Sequence, residues 1–388
     1  MKKYIKDFFF GIIHGSIKKK ILWVFILAIY LFLMLVCIIP VPVSSTSPGS
    51  ITSVATVIDI EDTDETVVNK RAYTVSVYTK TKASILEYWI ALLDKDTDIE
   101  IDKREDNIYT IKEEEKIDVI AKEQSIQDCL ITAYTCAKTN GYDVNLDYTY
   151  KGIRVACVPT NYIKSGPESL QIGDIIVSIE DTEVNNIEKF KELVLAIYDA
   201  YQADKSLTSK KVSVIRDNTL ITLDNCNIKG LAVLGNYTKI YEGSVPEYVF
   251  YEYYDLNYDT AKPKFKINNA FSSGPSGGLV QTLFVYDCIT NGSLIKDKYI
   301  LGTGTISTSG KVGAIGAAKQ KIMTANFYQC QYFLVPSANY DEAKAKYDSI
   351  KDPSFELVKV DNFSDVITYF SNLGGQAWDT YLLNPHKK

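Results

Sequence analysis

Ile21–Ile39 is a run of 19 uncharged, almost wholly apolar positions near the start of the chain, and that length suits a helix crossing a bilayer. Lys2, Lys3, Lys6, Lys18, Lys19 and Lys20 precede it against a single acid, Asp7, and no basic residue follows until Lys70. The excess of positive charge on the N-terminal side places residues 1–20 in the cytoplasm, a span over 21–43 and the rest outside. A cleaved signal peptide is the competing reading. Against it, the apolar run is longer than a usual signal core and no A-x-A site follows it.

Beyond a Pro/Ser-rich exit, Pro40–Ser50, the pattern becomes that of an α+β protein. Ile51–Lys80 alternates in the manner of strands, as in Tyr73–Tyr78. From about Lys116 to Thr139 the period turns helical, with Ile126, Cys129, Leu130, Ala133 and Ala137 on one face and Gly141 as the stop. Gly152–Val158 reads as a strand, Gly166-Pro167 as a turn and Leu170–Ile179 as a second strand. A helix follows with Ile187, Phe190, Val194 and Ile197 on one face. After Gly278 the chain is apolar, with Leu279, Leu283 and Tyr286 at helical spacing. Leu301–Ile306 predicts a strand, and after a Gly-rich turn a helix begins near Ala317.

Length and charge narrow the function. The 388 residues leave room for two domains beyond the span. A net charge of −6 with no dense basic stripe argues against a nucleic-acid partner. The seven cysteines contain no C-x-x-C pair, so no metal site is expected. Cys129 and Cys136 sit about two helical turns apart, too far for a disulfide, and are expected as buried thiols.

The candidate chemistry lies in Gly274-Pro275-Ser276-Gly277-Gly278. Gly, Pro and Ser are what any tight turn uses. This turn, however, precedes a predicted helix, where free backbone amides and the positive end of the helix dipole would face an oxyanion. Its glycines would let a substrate backbone approach closely. The only histidines, His14 and His386, lie near the two ends, so a histidine base for Ser276 is not expected. Lysines are at hand in Lys319-Gln320-Lys321, 43 to 45 residues on. The two are about 200° apart on a helix, so only one can face a given site. Lys321 shares a stripe with Ala317, Ala318, Thr324 and Ala325, and Lys319 shares a side with Ile322 and Met323. Periodicity does not choose between them.

Two family resemblances extend this reading. Gly152–Val158 followed by "GP…L..GD.I..I" and a helix resembles a bacterial PDZ domain over about 65 residues. That resemblance implies β-augmentation, an extended peptide adding a strand at Gly152, Ile153 and Val155. A small packing domain without a ligand is the plainer alternative. "GPSGG … GTGTI … GKVGAIGAAKQK … FLVPSAN" resembles the proteolytic domain of Lon proteases, in the form found in membrane-anchored, PDZ-bearing Lon-like serine proteases. The resemblance implies that Ser276 is the nucleophile, Lys321 its base and Thr303 the hydroxyl that holds the lysine, with Gly274 and Gly277 supporting the turn. The chain departs from the family pattern at Gly277 (Ala in the family), at Ser273 (often Asp) and at Ala317 (Gly in Ile-Gly-Gly).

These readings predict a first part of the Lon-type domain over 44–145, a PDZ-like domain over 146–225, a catalytic part over 226–375 and a tail over 376–388. The PDZ-like domain would then be inserted into a split Lon-type domain, a simple tandem being the alternative. The expected activity is that of an extracytoplasmic serine endopeptidase acting on unfolded or membrane-tethered polypeptides. No G-x-x-x-x-G-K-[ST] stands in the chain, so neither a nucleotide nor any other cofactor is expected. Lon-type domains often form rings, which leaves a homo-oligomer open. The competing function is a membrane-anchored peptide-binding scaffold whose Lon-type part is inert. For Lys321 to act as a base, its pKa must fall by about 3 from the ordinary ~10.4.

Overall fold

The computed structural model describes residues 16–61, 72–101, 109–157, 168–240, 249–268 and 274–374. Gly166-Pro167, Ser273 and the 376–388 tail lie outside them, as do residues 1–15 of the predicted cytoplasmic segment. The chain divides into two compact units, Met1–Pro48 with Val77–Glu105, and Gly49–Ser76 with Asp106–Lys388. Of the predicted 44–145 segment, residues 44–48 and 77–105 fall in the smaller unit.

In chain order the elements begin with α1 (Ile17–Ile38), β1 (Val43–Ser53), β2 (Ile58–Ile60), β3 (Ala72–Lys80), α2 (Ile85–Leu93) and β4 (Asp98–Ile101). Then come α3 (Ile111–Thr139), β5 (Asn145–Val155), β6 (Ile175–Ile179), β7 (Thr182–Glu183), α4 (Ile187–Ala203), β8 (Ser209–Arg216), β9 (Thr219–Asn227) and α5 (Ile228–Ile240). Next are β10 (Phe250–Lys262), β11 (Phe265–Ile267), α6 (Gly278–Ile289), β12 (Ile300–Gly302), β13 (Thr305–Ile306) and β14 (Val312–Gly313). The chain closes with α7 (Ala318–Tyr328), β15 (Tyr332–Pro336), α8 (Tyr340–Asp348), β16 (Glu356–Val360) and α9 (Phe363–Asn372).

In the smaller unit, α1 is 22 residues long with a mean hydropathy of 3.1, long and apolar enough to cross a membrane. The helix stops at Ile38, and Val43 already pairs with Ile101 of β4, so the span predicted to reach residue 43 ends earlier. A capping box between Ser84 and Glu87 starts α2.

The larger unit has three hydrophobic cores, the third of which holds Leu301, Phe333, Val335 and the α7 residues Ala318, Ile322 and Ala325. In the first, strands lie in the order β16-β15-β12-β3-β1, with β12 parallel to β3 and β15, and β15 parallel to β16. Helix α6 is buried at all 12 positions, which explains its almost unbroken apolar sequence. The predicted face of α3 (Ile126, Cys129, Leu130, Ala133 and Ala137) is buried in this same core. Gly141, at φ +86°, turns the chain away after α3 in the left-handed region that glycine tolerates.

The second core lies on the sheet β10-β5-β6-β8-β9, with β7 beside β6. Phe190, Val194 and Ile197 of α4 pack into it, as their spacing predicts. Cys226, Ile228, Leu231, Leu234, Val249 and Phe250 also belong here. The catalytic part expected to open at 226 therefore does not. Those residues pack in the second core, and the chain re-enters the first core within β10, at Leu256. Three elements serve both the first and the second core: α3 through Ile120 and Ile126, β5 through Val155 and Leu146, and β10 through Phe250 and Leu256.

Candidate active site

Ser276 stands in the single 3-10 turn Pro275–Gly277 that leads into α6. Gly274, at φ +87°, sets the entry to the turn, and a side chain there would project into open space. Gly277 is held to glycine by a neighbour, since an added Cβ would lie 2.8 Å from the Thr74 methyl on β3. The family's alanine at this position therefore meets Thr74 in this chain, which gives the departure a local cause.

The loop between β12 and β13 fastens the turn. Gly304 N donates to the Ser276 carbonyl at 2.7 Å, and Leu279 N donates back to the Gly304 carbonyl at 3.0 Å. Thr303, fully buried, donates its hydroxyl to the same Ser276 carbonyl at 3.1 Å. From the other side, Ser125 Oγ on α3 donates to the Pro275 carbonyl at 3.1 Å. The sequence reading missed Ser125 and Thr74. Neither stands in a motif quoted above for the site.

Helix α7 supplies the lysine. It opens after Ala317, which holds φ +57° and ψ +43°. A left-handed residue at this point explains the family's glycine, and an alanine there carries strain on the order of 1 kcal/mol. Lys321 is 4% exposed, and its Nζ lies 3.1 Å from Ser276 Oγ and 3.0 Å from Thr303 Oγ1. Lys319, two positions earlier, is exposed. Of the residues on Lys321's stripe, Ala318, Thr324 and Ala325 are buried, so the stripe is the inward face of the helix. Ile322 is buried too, which breaks the expected partition that grouped it with Lys319.

Burial pushes the Lys321 ammonium down to about 8 from an ordinary 10.5, and desolvation is the whole cause. At that value about one molecule in ten holds a neutral amine at pH 7, against fewer than one in a thousand for an exposed lysine. Oγ, Nζ and the threonine hydroxyl thus form a connected set in which an amine can take the serine proton. Cysteine chemistry has no comparable support. Burial raises the Cys157 and Cys226 thiols to about 11 and Cys330 to about 12, and Cys129 and Cys136 are both free.

Residues 269–371 match the Lon protease (S16) C-terminal proteolytic domain. The match implies a serine peptidase. The chain is also 28% identical over 127 residues to the Lon protease of Campylobacter jejuni subsp. jejuni serotype O:2 (strain ATCC 700819 / NCTC 11168), a similarity covering 32% of this chain and 15% of that protein. Ser276, Thr303 and Lys321 all lie inside the matched segment.

Gly152, Ile153 and Val155 are placed differently from expectation. In β5, Gly152 pairs with Tyr253 and Val155 with Phe250 on one side, while Ile153 pairs with Ile176 on the other. Ile153 and Val155 are fully buried, and an added Cβ on Gly152 would lie 2.3 Å from the Ile176 carbonyl oxygen. A peptide strand has no free edge there, because β10 already fills it. The edge strand on this side is β10, and it is covered at Glu252 and Tyr254. Gln127 Nε2 donates to the Tyr254 carbonyl and its Oε1 accepts from Tyr254 N, while Gln124 Nε2 donates to the Glu252 carbonyl. Glutamine side chains thus take the place of a neighbouring strand.

Proposed function

We propose that the chain is an ATP-independent serine endopeptidase in which Ser276 is the nucleophile and Lys321 the general base. The observation that carries this reading is the buried Lys321 amine, within hydrogen-bond distance of both Ser276 Oγ and Thr303 Oγ1. In the acylation step neutral Lys321 takes the proton from Ser276, whose oxygen bonds to the scissile carbonyl carbon. The carbonyl oxygen becomes an oxyanion facing the Ser276 and Gly277 backbone amides at the start of the turn, which have no acceptor within the helix. The resulting ammonium protonates the leaving amine as the C–N bond breaks. A water molecule then attacks the ester and gives its proton to Lys321, which passes a proton to Ser276 Oγ as the acyl C–O bond breaks. Thr303 accepts from Lys321 and keeps its nitrogen directed at Ser276.

Substrates are unfolded or membrane-tethered polypeptides outside the cytoplasmic membrane. The apolar helix α1 and the lysine excess before it support that placement. The shared first core of α3, β3 and α6 supports a Lon-type domain split by an inserted PDZ-like module. This module packs on the catalytic part through β10 rather than offering β5 to a peptide.

The test uses the full chain in detergent with a reduced, unfolded protein and no nucleotide. Ser276→Ala and Lys321→Ala each lose activity by roughly 10⁴-fold, and Lys319→Ala cleaves as wild type does. Undiminished cleavage by Lys321→Ala would sink the dyad. An inert wild type would favour the scaffold reading instead.

A further inference from the structure

The smaller unit carries an apolar surface that the peptidase reading does not use. Seven of the nine residues of α2, ILEYWIALL, are aliphatic or tryptophan. Leu86, Trp89, Ile90, Leu92 and Leu93 are 37%, 46%, 58%, 58% and 86% exposed. A nine-residue helix with that much bare apolar surface is unusual on a protein that meets only water. Its one charge is occupied at the helix start, where Glu87 accepts from Ser84 N at 2.7 Å and lies 3.4 Å from Lys80 Nζ.

The position of α2 identifies what covers this surface. Ile85 N donates to the carbonyl of Ile39, the residue that follows α1, and Val41 N donates to the Ala83 carbonyl. Ala83 N closes the set by donating to the Val43 carbonyl, and α2 packs against α1. The first turn of α2 is thus hydrogen-bonded to the point where α1 ends. A helix of 22 residues is about 33 Å long, close to the hydrocarbon thickness of a bilayer. If α1 spans, α2 starts at the level of the headgroups. A tryptophan and a tyrosine, Trp89 and Tyr88, sit mid-helix, as is common for side chains resting at that level.

We infer that α2 is a second membrane-contacting element, its Leu86, Trp89, Ile90 and Leu93 side chains resting in the outer headgroup and upper acyl region of the bilayer. The inference rests on the reading of α1 as a span. The occupant is the lipid surface, because the exposed face begins where the span ends and α2 exposes no other charge. Two anchoring elements in place of one restrain the unit against rotation about α1.

Tryptophan quenching tests this with the full chain in phosphatidylcholine–phosphatidylglycerol vesicles. Lipids brominated near the headgroup end or near the tail end of the acyl chain serve as quenchers. Trp23→Phe with Trp378→Phe leaves Trp89 as the reporter. Adding Trp89→Phe and Phe32→Trp moves the reporter to the middle of α1. The expected result is that Trp89 is quenched by both lipids, more by the shallow bromines, and that the residue-32 reporter is quenched more by the deep ones. Quenching at position 32 with none at Trp89 overturns the inference and leaves the span standing. No quenching at position 32 removes the span, and the inference with it. A Trp89 emission that is shielded but unquenched, and that shifts red on dilution into excess lipid, gives the face to a second copy of the chain and also overturns it.

Discussion

Two cations of the larger unit, Arg216 and Lys321, meet their partners in opposite ways. In the second core, Arg216 Nε and Nη2 donate to the two carboxylate oxygens of Asp174 at 2.8 and 2.7 Å, and Asp174 is 1% exposed. Those bonds raise the Arg216 pKa, so its charge is held in place and ties β8 to the start of β6. At the Ser276 turn, Lys321 is 4% exposed and is met by two hydroxyls, and burial alone lowers its pKa. A carboxylate fixes a charge, whereas hydroxyls accept a neutral amine without restoring it. Structural and chemical roles are thereby separated by the choice of partner.

The largest effect comes from breaking the paired cation. Arg216→Met leaves Asp174 buried without its partner and is expected to lower stability by about 3–5 kcal/mol, read from urea unfolding; a loss within error would show that Asp174 is solvated. The converse is to give Lys321 the partner it lacks. Thr303→Asp should return Lys321 to its ordinary range, cutting the neutral fraction at pH 7 by about 300-fold, and kcat/KM with it. Its activity should recover at alkaline pH, which a merely misfolded variant would not do.

Removing the buried amine is the third way. Folded Lys321 releases its proton near 8 and unfolded Lys321 near 10.5. Between those values the unfolded chain binds more protons, so stability rises with pH, and below 8 the full cost of about 3 kcal/mol is present. Lys321→Met should therefore be inactive yet more stable than wild type by up to about 3 kcal/mol at pH 7. That gain should fade as pH approaches 10.5, and an unchanged melting temperature across the range would contradict it. In wild type the same group predicts a rise in kcat/KM of about tenfold between pH 7 and pH 9. The smallest effect is Ala317→Gly, expected to add on the order of 1 kcal/mol by relieving the left-handed backbone, measured by thermal unfolding at pH 7.

Local sequence period made α3, α4 and α6 readable, because each buries one face or all of itself. Ser276 was readable for the same reason, as a glycine-flanked residue preceding an apolar helix. The choice between Lys319 and Lys321 was not, because Ile322 is buried as well and the inward face of α7 is wide. Apart from the family resemblance, the three-dimensional placement of Ser276 and Thr303 separates them. The groove at Gly152–Val155 was misplaced because its occupant, β10, begins about 100 residues downstream, and strand pairing at that separation leaves no local mark. The boundary at 226 failed similarly, since α5 is apolar in a way that suits either core.

The purely desolvated origin of the Lys321 shift has a consequence for ionic strength. Active-site lysines depressed by a neighbouring cation regain their proton as salt weakens the repulsion. Lys321 has no such neighbour among the causes of its shift. Its alkaline activity limb should therefore stay at the same pH from dilute buffer to molar salt.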